Sequence, residues 1–162
     1  MSSPKSKVKI AIDVGGVLIE KKHKNGADTN FDINDIKWMP GALDAVKILH
    51  EMYDLYILSF CGKRTEKETR LALRKEVAQF IPENKWIFTR ERIYKIDRMK
   101  EYGITTLVDD TQEIIEWVEK AGLKAVHYGS GVFPDWDSVV KYLLDSYEEH
   151  VNIETQTNSN RT

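Results

Sequence analysis

Four stretches of this chain carry residue types able to do chemistry, and three of them fall where an apolar run ends. The first is IAIDVGGVLIE, Ile10 to Glu20, in which Ile10, Ala11 and Ile12 lead into Asp13 and then Gly15 and Gly16. A short apolar run that stops at an acid and then glycine reads as a buried strand with an abrupt end. The glycines allow backbone N–H groups to come close to whatever sits beside the carboxylate. The others are Ser59 in Ser59-Phe60-Cys61-Gly62, Lys95 in Tyr94-Lys95-Ile96, and the pair Asp109-Asp110 after Ile104 to Val108. Taken singly, each acid also fits a plain turn residue.

The elements that must position these residues alternate. Val8 to Asp13 reads as the first strand and Leu55 to Phe60 as the second. Trp86 to Phe88 reads as the third, Ile104 to Val108 as the fourth and Lys124 to His127 as the fifth. Pro40-Gly41 opens a helix to about Met52, with Ala42, Leu43, Ala45, Val46, Ile48 and Leu49 on its buried side. Thr65 and Glu68 have capping-box spacing at the head of a charged helix that ends near Phe80. Ile96 to Tyr102 is a helix stopped by Gly103, Glu113 to Ala121 one closed by Gly122, and Asp137 to Glu149 the last.

Such alternation predicts an α/β, Rossmann-like parallel sheet of about five strands with helices on both faces, a three-layer sandwich. Ligands in such folds sit at the carboxyl ends of the strands, where strand order reverses. Asp13, Ser59 and Asp109-Asp110 all fall at predicted carboxyl ends, so they converge on one site.

With 162 residues, one domain is expected over residues 7–150, after a loose lead-in at 1–6 and before a frayed Asn/Thr-rich tail at 151–162. A net charge of -2 makes no global case for nucleic acid or membrane. A single cysteine, no signal peptide and no apolar run of about 18 residues make a cytoplasmic protein with no membrane partner the expectation. Against the near-neutral total, Lys21, Lys22, Lys24, Lys63, Arg64, Arg90, Arg92 and Lys95 follow the first three strands, while Asp135, Asp137, Asp145, Glu148 and Glu149 surround the last helix. A basic mouth of this kind points to an anionic ligand larger than one phosphate, the other reading being scattered surface cations.

In this order and at these strand ends, the motifs resemble those of the haloacid dehalogenase-like (HAD) superfamily, whose members are mostly magnesium-dependent phosphatases. The resemblance covers nearly all of residues 7 to 130. It rests on Asp13 with Gly16, on Ser59, on Lys95 ahead of a helix, and on Asp109-Asp110. It implies that Asp13 is a nucleophile forming an aspartyl-phosphate. It implies Mg2+ held by Asp13, the Gly15 carbonyl and Asp109, with Asp110 beside them. Ser59 would hydrogen-bond a phosphate oxygen and Lys95 would balance charge. Gly15 and Gly16 would border the substrate, a phosphorylated small molecule or nucleotide, or a larger polyanion.

The chain departs from that pattern at one position. Phosphatases of the superfamily carry a second aspartate two residues after the nucleophile, as general acid and base; here Gly15 stands in its place. Glycine keeps a carbonyl for the metal but cannot move a proton, a contribution typically worth about 10²- to 10⁴-fold in rate. Phosphonatases, dehalogenases and ion-pumping ATPases of the superfamily lack it too. Slow phosphoryl transfer is therefore expected, with a HAD-like protein that only binds metal and anion as the alternative.

Rival assignments are Lys100 for the site lysine and His23 as a substitute acid or base. Cys61 reads as a small packing residue, and Trp38, Trp86, Trp117 and Trp136 as core or edge packing. The loop from Glu20 to Asp35 is too short for a helical cap domain, which leaves an open site for a macromolecule or a partner subunit.

Overall fold

A computed structural model of the chain describes residues 7–21 and 35–159. Five parallel strands, β1 (Lys9–Ile12), β2 (Asp54–Phe60), β3 (Trp86–Thr89), β4 (Thr106–Asp109) and β5 (Lys124–His127), form one sheet in the order β3-β2-β1-β4-β5. Five helices connect and follow them: α1 (Ala42–Leu49), α2 (Lys63–Glu76), α3 (Tyr94–Tyr102), α4 (Gln112–Lys120) and α5 (Trp136–Ser159). This is the α/β, Rossmann-like sandwich that the alternation predicts.

The order decides where a ligand can enter. From β1 the chain builds outward through β2 to β3, then returns to the other side of β1 for β4. Connections leave in opposite directions from β1 and β4, which opens a crevice at their carboxyl ends. Register carries the acids there, since Ile12 pairs with Ile57 on one side and with Val108 on the other.

Side-chain alternation sorts the core into two layers. Ile10, Ile12, Leu55 and Ile57 pack with Ala42, Val46 and Leu49 of α1 and with Val139 and Leu143 of α5. Ala11, Tyr56, Leu58 and Leu107 pack with Ile96 and Met99 of α3 and with Ile114 and Val118 of α4. Trp136 is the largest fully buried side chain, and its indole N–H donates to the Val17 carbonyl at 2.8 Å, which ties α5 to the turn after β1. Packing is thus the role of Trp136, as of the buried Trp86; Trp38 and Trp117 are half-buried.

Several boundaries differ from the expectation. α1 buries Ala42, Ala45, Val46 and Leu49, an i, i+3, i+4, i+7 stripe; Ile48 falls a quarter-turn off it and is exposed, and the helix ends at Leu49. α2 begins directly off β2 at Lys63 with Gly62 as the flanking residue and no side-chain cap. Thr65 is therefore inside the first turn and the capping box with Glu68 does not form. That helix also stops at Glu76, because the chain turns inward there to bury Val77 and Ile81. β4 starts at Thr106 and includes Asp109 itself. The last helix starts at Trp136 and continues to Ser159, through most of the segment expected to fray. Residues 1–6, 160–162 and most of the Glu20–Asp35 loop, with Lys22, His23 and Lys24, lie outside the described residues. Among the described residues no helix is long and apolar enough to cross a membrane.

Candidate active site

Asp13 follows β1 immediately, and its backbone N–H still donates to Val108 O at 3.0 Å. It continues the alternation of Ala11, and Asp109 that of Leu107, so both carboxylates leave the sheet on the face covered by α3. α3 answers with Lys95. This residue sits within its first turn, where the sequence had suggested a position ahead of the helix. Lys95 Nζ donates to Asp13 Oδ1 at 3.1 Å and to Asp109 Oδ2 at 2.7 Å. The lysine is 1% exposed and Asp109 0%. Lys100, the rival, is exposed.

So much buried charge alters the groups that carry it. Burial first, then the Asp109 carboxylate, push the Asp13 carboxyl up to about 7, with Asp110 adding to the rise and Lys95 opposing it. Burial alone would help Lys95 lose its proton; Asp13 and Asp109 outweigh it and hold the ammonium above the ordinary lysine value. The cation stays charged between them.

Asp110 lies one step outward. Lys21 Nζ donates to its Oδ2 at 3.0 Å, and the Thr111 hydroxyl lies 3.4 Å from its Oδ1. The Thr111 backbone N–H donates to Asp109 Oδ1 at 3.0 Å, which fixes the carboxylate that Lys95 also holds. His127, at the end of β5, places Nε2 3.3 Å from the Asp110 carbonyl. Asp13, Asp109 and Asp110 each offer one carboxylate oxygen within 4.8 Å of the others. Three carboxylates with no sulfur or imidazole suit a hard cation such as magnesium.

The two glycines play unequal parts. Gly16 has φ of 80°, and a Cβ there would lie 2.3 Å from Asp110 Oδ2, so both backbone and space require glycine. Gly15 is outside the left-handed region. Among the described residues a Cβ on it would meet only the Lys21 side chain, 3.3 Å from Cε. The stem of Lys21 thus covers the position where a side chain at 15 would begin.

Ser59 is buried at the same sheet edge, near the end of β2, and it favours the Cys61 thiolate. Burial nevertheless pushes that thiol up, so Cys61 is no ready thiolate. The expected basic mouth is partly spent within the protein. Lys21 pairs with Asp110, Arg90 with Glu66 at 2.8 Å and Arg64 with Glu68 at 3.8 Å; Arg92 stacks over Phe60. Lys63 is exposed at the head of α2.

The sequence reading missed Lys21 as a member of the cluster, together with Thr111 and His127. Lys21 follows Asp13 by eight positions, and no local periodicity links them. The turn at Val14–Ile19 does so, with Leu18 and Ile19 N–H both donating to Val14 O. Thr111 had a usable signal, a hydroxyl residue directly before a helix and after two acids.

No family model matches this chain, and no curated protein does. Solved structures match in fold. A HAD-superfamily hydrolase of subfamily IA from Geobacter sulfurreducens superposes with a TM-score of 0.61 at 10% identity, over 85% of this chain and 100% of that one. A HAD family enzyme of Bacteroides thetaiotaomicron, in complex with magnesium and inorganic phosphate, gives 0.54 at 13%, over 78% and 96%. A haloacid dehalogenase-like hydrolase from Streptococcus pneumoniae gives 0.55 at 14%, over 84% and 90%. The fold is HAD-like. Its strands bring Asp13, Asp109 and Asp110 to the switch point between β1 and β4, and α3 brings Lys95 to them.

Proposed function

We propose that this protein is a magnesium-dependent phosphohydrolase or phosphotransferase of the HAD type, slow on phosphomonoesters, with Asp13 as nucleophile. One observation carries the reading. Three carboxylates gather within reach of one cation, and a buried lysine binds two of them at the mouth of a HAD-like sheet.

Magnesium, held by the Asp13 carboxylate, the Gly15 carbonyl and Asp109 with Asp110 beside them, would supply positive charge against the phosphoryl oxygens. The protein's own groups do the rest. Lys95 keeps Asp13 oriented through Oδ1 and opposes the burial that favours its protonated form. An Asp13 oxygen attacks phosphorus, and the bond from phosphorus to the leaving oxygen breaks with its electron pair on that oxygen. Water or an acceptor hydroxyl then attacks the aspartyl-phosphate, loses its proton, and restores the carboxylate. Ser59, buried near the end of β2, would hydrogen-bond a phosphoryl oxygen.

Gly15 cannot donate a proton to the leaving oxygen or take one from water. Both half-reactions therefore lean on solvent, and activated leaving groups should be favoured. The missing help is worth about 10²- to 10⁴-fold. The lysine stem over Gly15 also favours a second reading, a protein that holds metal and anion without useful turnover. As substrate we propose a phosphorylated small molecule or nucleotide. Because Lys21, Arg64 and Arg90 already meet acids of the chain, a polyanion would have to compete for them.

The test is an aryl phosphate assay with magnesium against EDTA, on the wild type and Asp13→Asn. Magnesium-dependent turnover lost in Asp13→Asn supports the enzyme. Magnesium binding with no turnover of any phosphomonoester moves the second reading ahead.

A further inference from the structure

The feature of this site that the HAD pattern does not explain is Lys21. Its backbone is held in place. Ile19 bridges to Trp38, and the N–H of the preceding Glu20 donates to Lys37 O at 2.8 Å, which fixes the chain just ahead of it. From there the side chain runs over Gly15, with Cε 3.3 Å and Cγ 3.6 Å from where a Cβ would stand. It ends on Asp110 Oδ2 at 3.0 Å. A larger residue at position 15 would push the stem aside. Gly15 and Lys21 are therefore one arrangement, in which the space cleared at 15 is filled by an ammonium group's stem.

The charge count gives that arrangement a consequence. Asp13, Asp109 and Asp110 bring three negative charges when ionised, and Lys95 brings one positive. Without Lys21 the cluster stands at -2, and with it at -1. Lys95 is fully buried and bonded to two acids, so it cannot yield to an incoming cation. Lys21 can. Its side chain is 33% exposed, it makes one ion pair among the described residues, and Asp110 is itself 21% exposed. A divalent cation drawn to the three carboxylates must share Asp110 with this ammonium or displace it. Either way Lys21 weakens metal binding. Once the metal is in place, the same ammonium adds positive charge next to a phosphoryl dianion.

We propose that Lys21 is a resident cation of the site that lowers its affinity for magnesium and raises its affinity for a phosphate-bearing ligand. The inference rests on the metal and phosphate reading above. It makes Lys21 a binding and positioning residue that occupies the place of the absent acid/base carboxylate. The chain exchanges proton transfer for anion capture at that place.

Two titrations test it on the full chain, magnesium alone and then inorganic phosphate with magnesium saturating, for wild type, Lys21→Met and Lys21→Arg. Methionine keeps the stem over Gly15 and removes the charge; arginine keeps the charge. One charge acting over a few ångströms in a partly solvated site is worth about tenfold in affinity. Lys21→Met should bind magnesium about tenfold more tightly and phosphate about tenfold more weakly, while Lys21→Arg stays close to wild type on both. Opposite signs are the mark of a charge effect, because structural damage would weaken both.

Asp109→Asn separates the two claims. Equal, Asp109-dependent magnesium affinity in wild type and Lys21→Met overturns the role of Lys21 and leaves the metal site standing. Magnesium binding by neither protein overturns both. Binding by Lys21→Met alone supports the inference in its strongest form. Weaker binding of both ligands by Lys21→Met overturns it.

Discussion

Two lysines serve this site in almost the same way and under different conditions. Lys95 and Lys21 each donate to a carboxylate of the acidic cluster at about 3 Å. Lys95 is 1% exposed, bridges two acids and comes from a helix packed on the sheet, whereas Lys21 is 33% exposed and, among the described residues, meets one acid from a turn. Distance alone would rank them equal. Burial does not. In the interior, removal of one partner strands charges that water cannot reach, while at the rim water replaces most of the lost attraction. The inner lysine is a structural requirement of the site, and the outer one is free to be a variable of it.

The sharpest way to break that contrast is to remove both cations in turn. Lys95→Met leaves Asp13 and Asp109 facing each other without compensation, and urea unfolding should show a loss of about 3–5 kcal/mol. Equal, small losses for Lys95→Met and Lys21→Met would show that burial does not separate the two lysines.

A second consequence concerns pH in the absence of metal. Asp13 titrates at 3.8 when unperturbed and at about 7 in the folded protein. Between those values the folded protein holds a proton that the unfolded chain has released, so stability falls as pH rises through that window. With EDTA present, this contribution should be largest below about pH 4 and gone above about pH 7. Asp13→Asn should flatten the dependence, and magnesium should restore stability most at the upper end. Thermal melts across pH would check both. A wild-type curve unchanged by Asp13→Asn would mean that Asp13 is not the group responsible.

Gly15→Asp restores the carboxyl that the HAD pattern has and crowds Lys21 in doing so. No left-handed backbone forbids it, but the Lys21 stem, 3.3 Å from where the Cβ would stand, has to move aside. Turnover of an aryl phosphate should rise by about 10²-fold, and further when combined with Lys21→Met. A folded, metal-binding variant with unchanged turnover would place the limit elsewhere. The smallest effect belongs to the stability of Lys21→Met, expected within about 1 kcal/mol of wild type in the same unfolding assay.

The residues that were legible in the sequence are those that close an apolar run. Asp13 follows β1 and Asp109 ends β4, while Lys95 stands in the first turn of a helix whose Ile96 and Met99 are core. Period and punctuation mark such positions, and strand alternation then forces their convergence. The capping box at Thr65 was misread because β2 runs straight into α2, so Gly62 and not Thr65 is the flanking residue. Ile48 was misread because an apolar residue beside a stripe looks like part of it. Lys21 was placed on the rim as one cation among eight. What sets it apart is contact with Gly15 and Asp110, one of them 89 positions away, and no local pattern encodes such a contact.

The measurement closest to the central claim is a search for the covalent intermediate. With no carboxyl at position 15 to speed its hydrolysis, an aspartyl-phosphate should accumulate. The wild type would be incubated with an activated aryl phosphate and magnesium, quenched in acid, and mapped by peptide mass spectrometry. One added phosphoryl group is expected on the peptide containing Asp13, absent with EDTA and absent in Asp13→Asn. A phosphoryl group on another residue, or none on a protein that binds magnesium and releases phosphate, would contradict that claim.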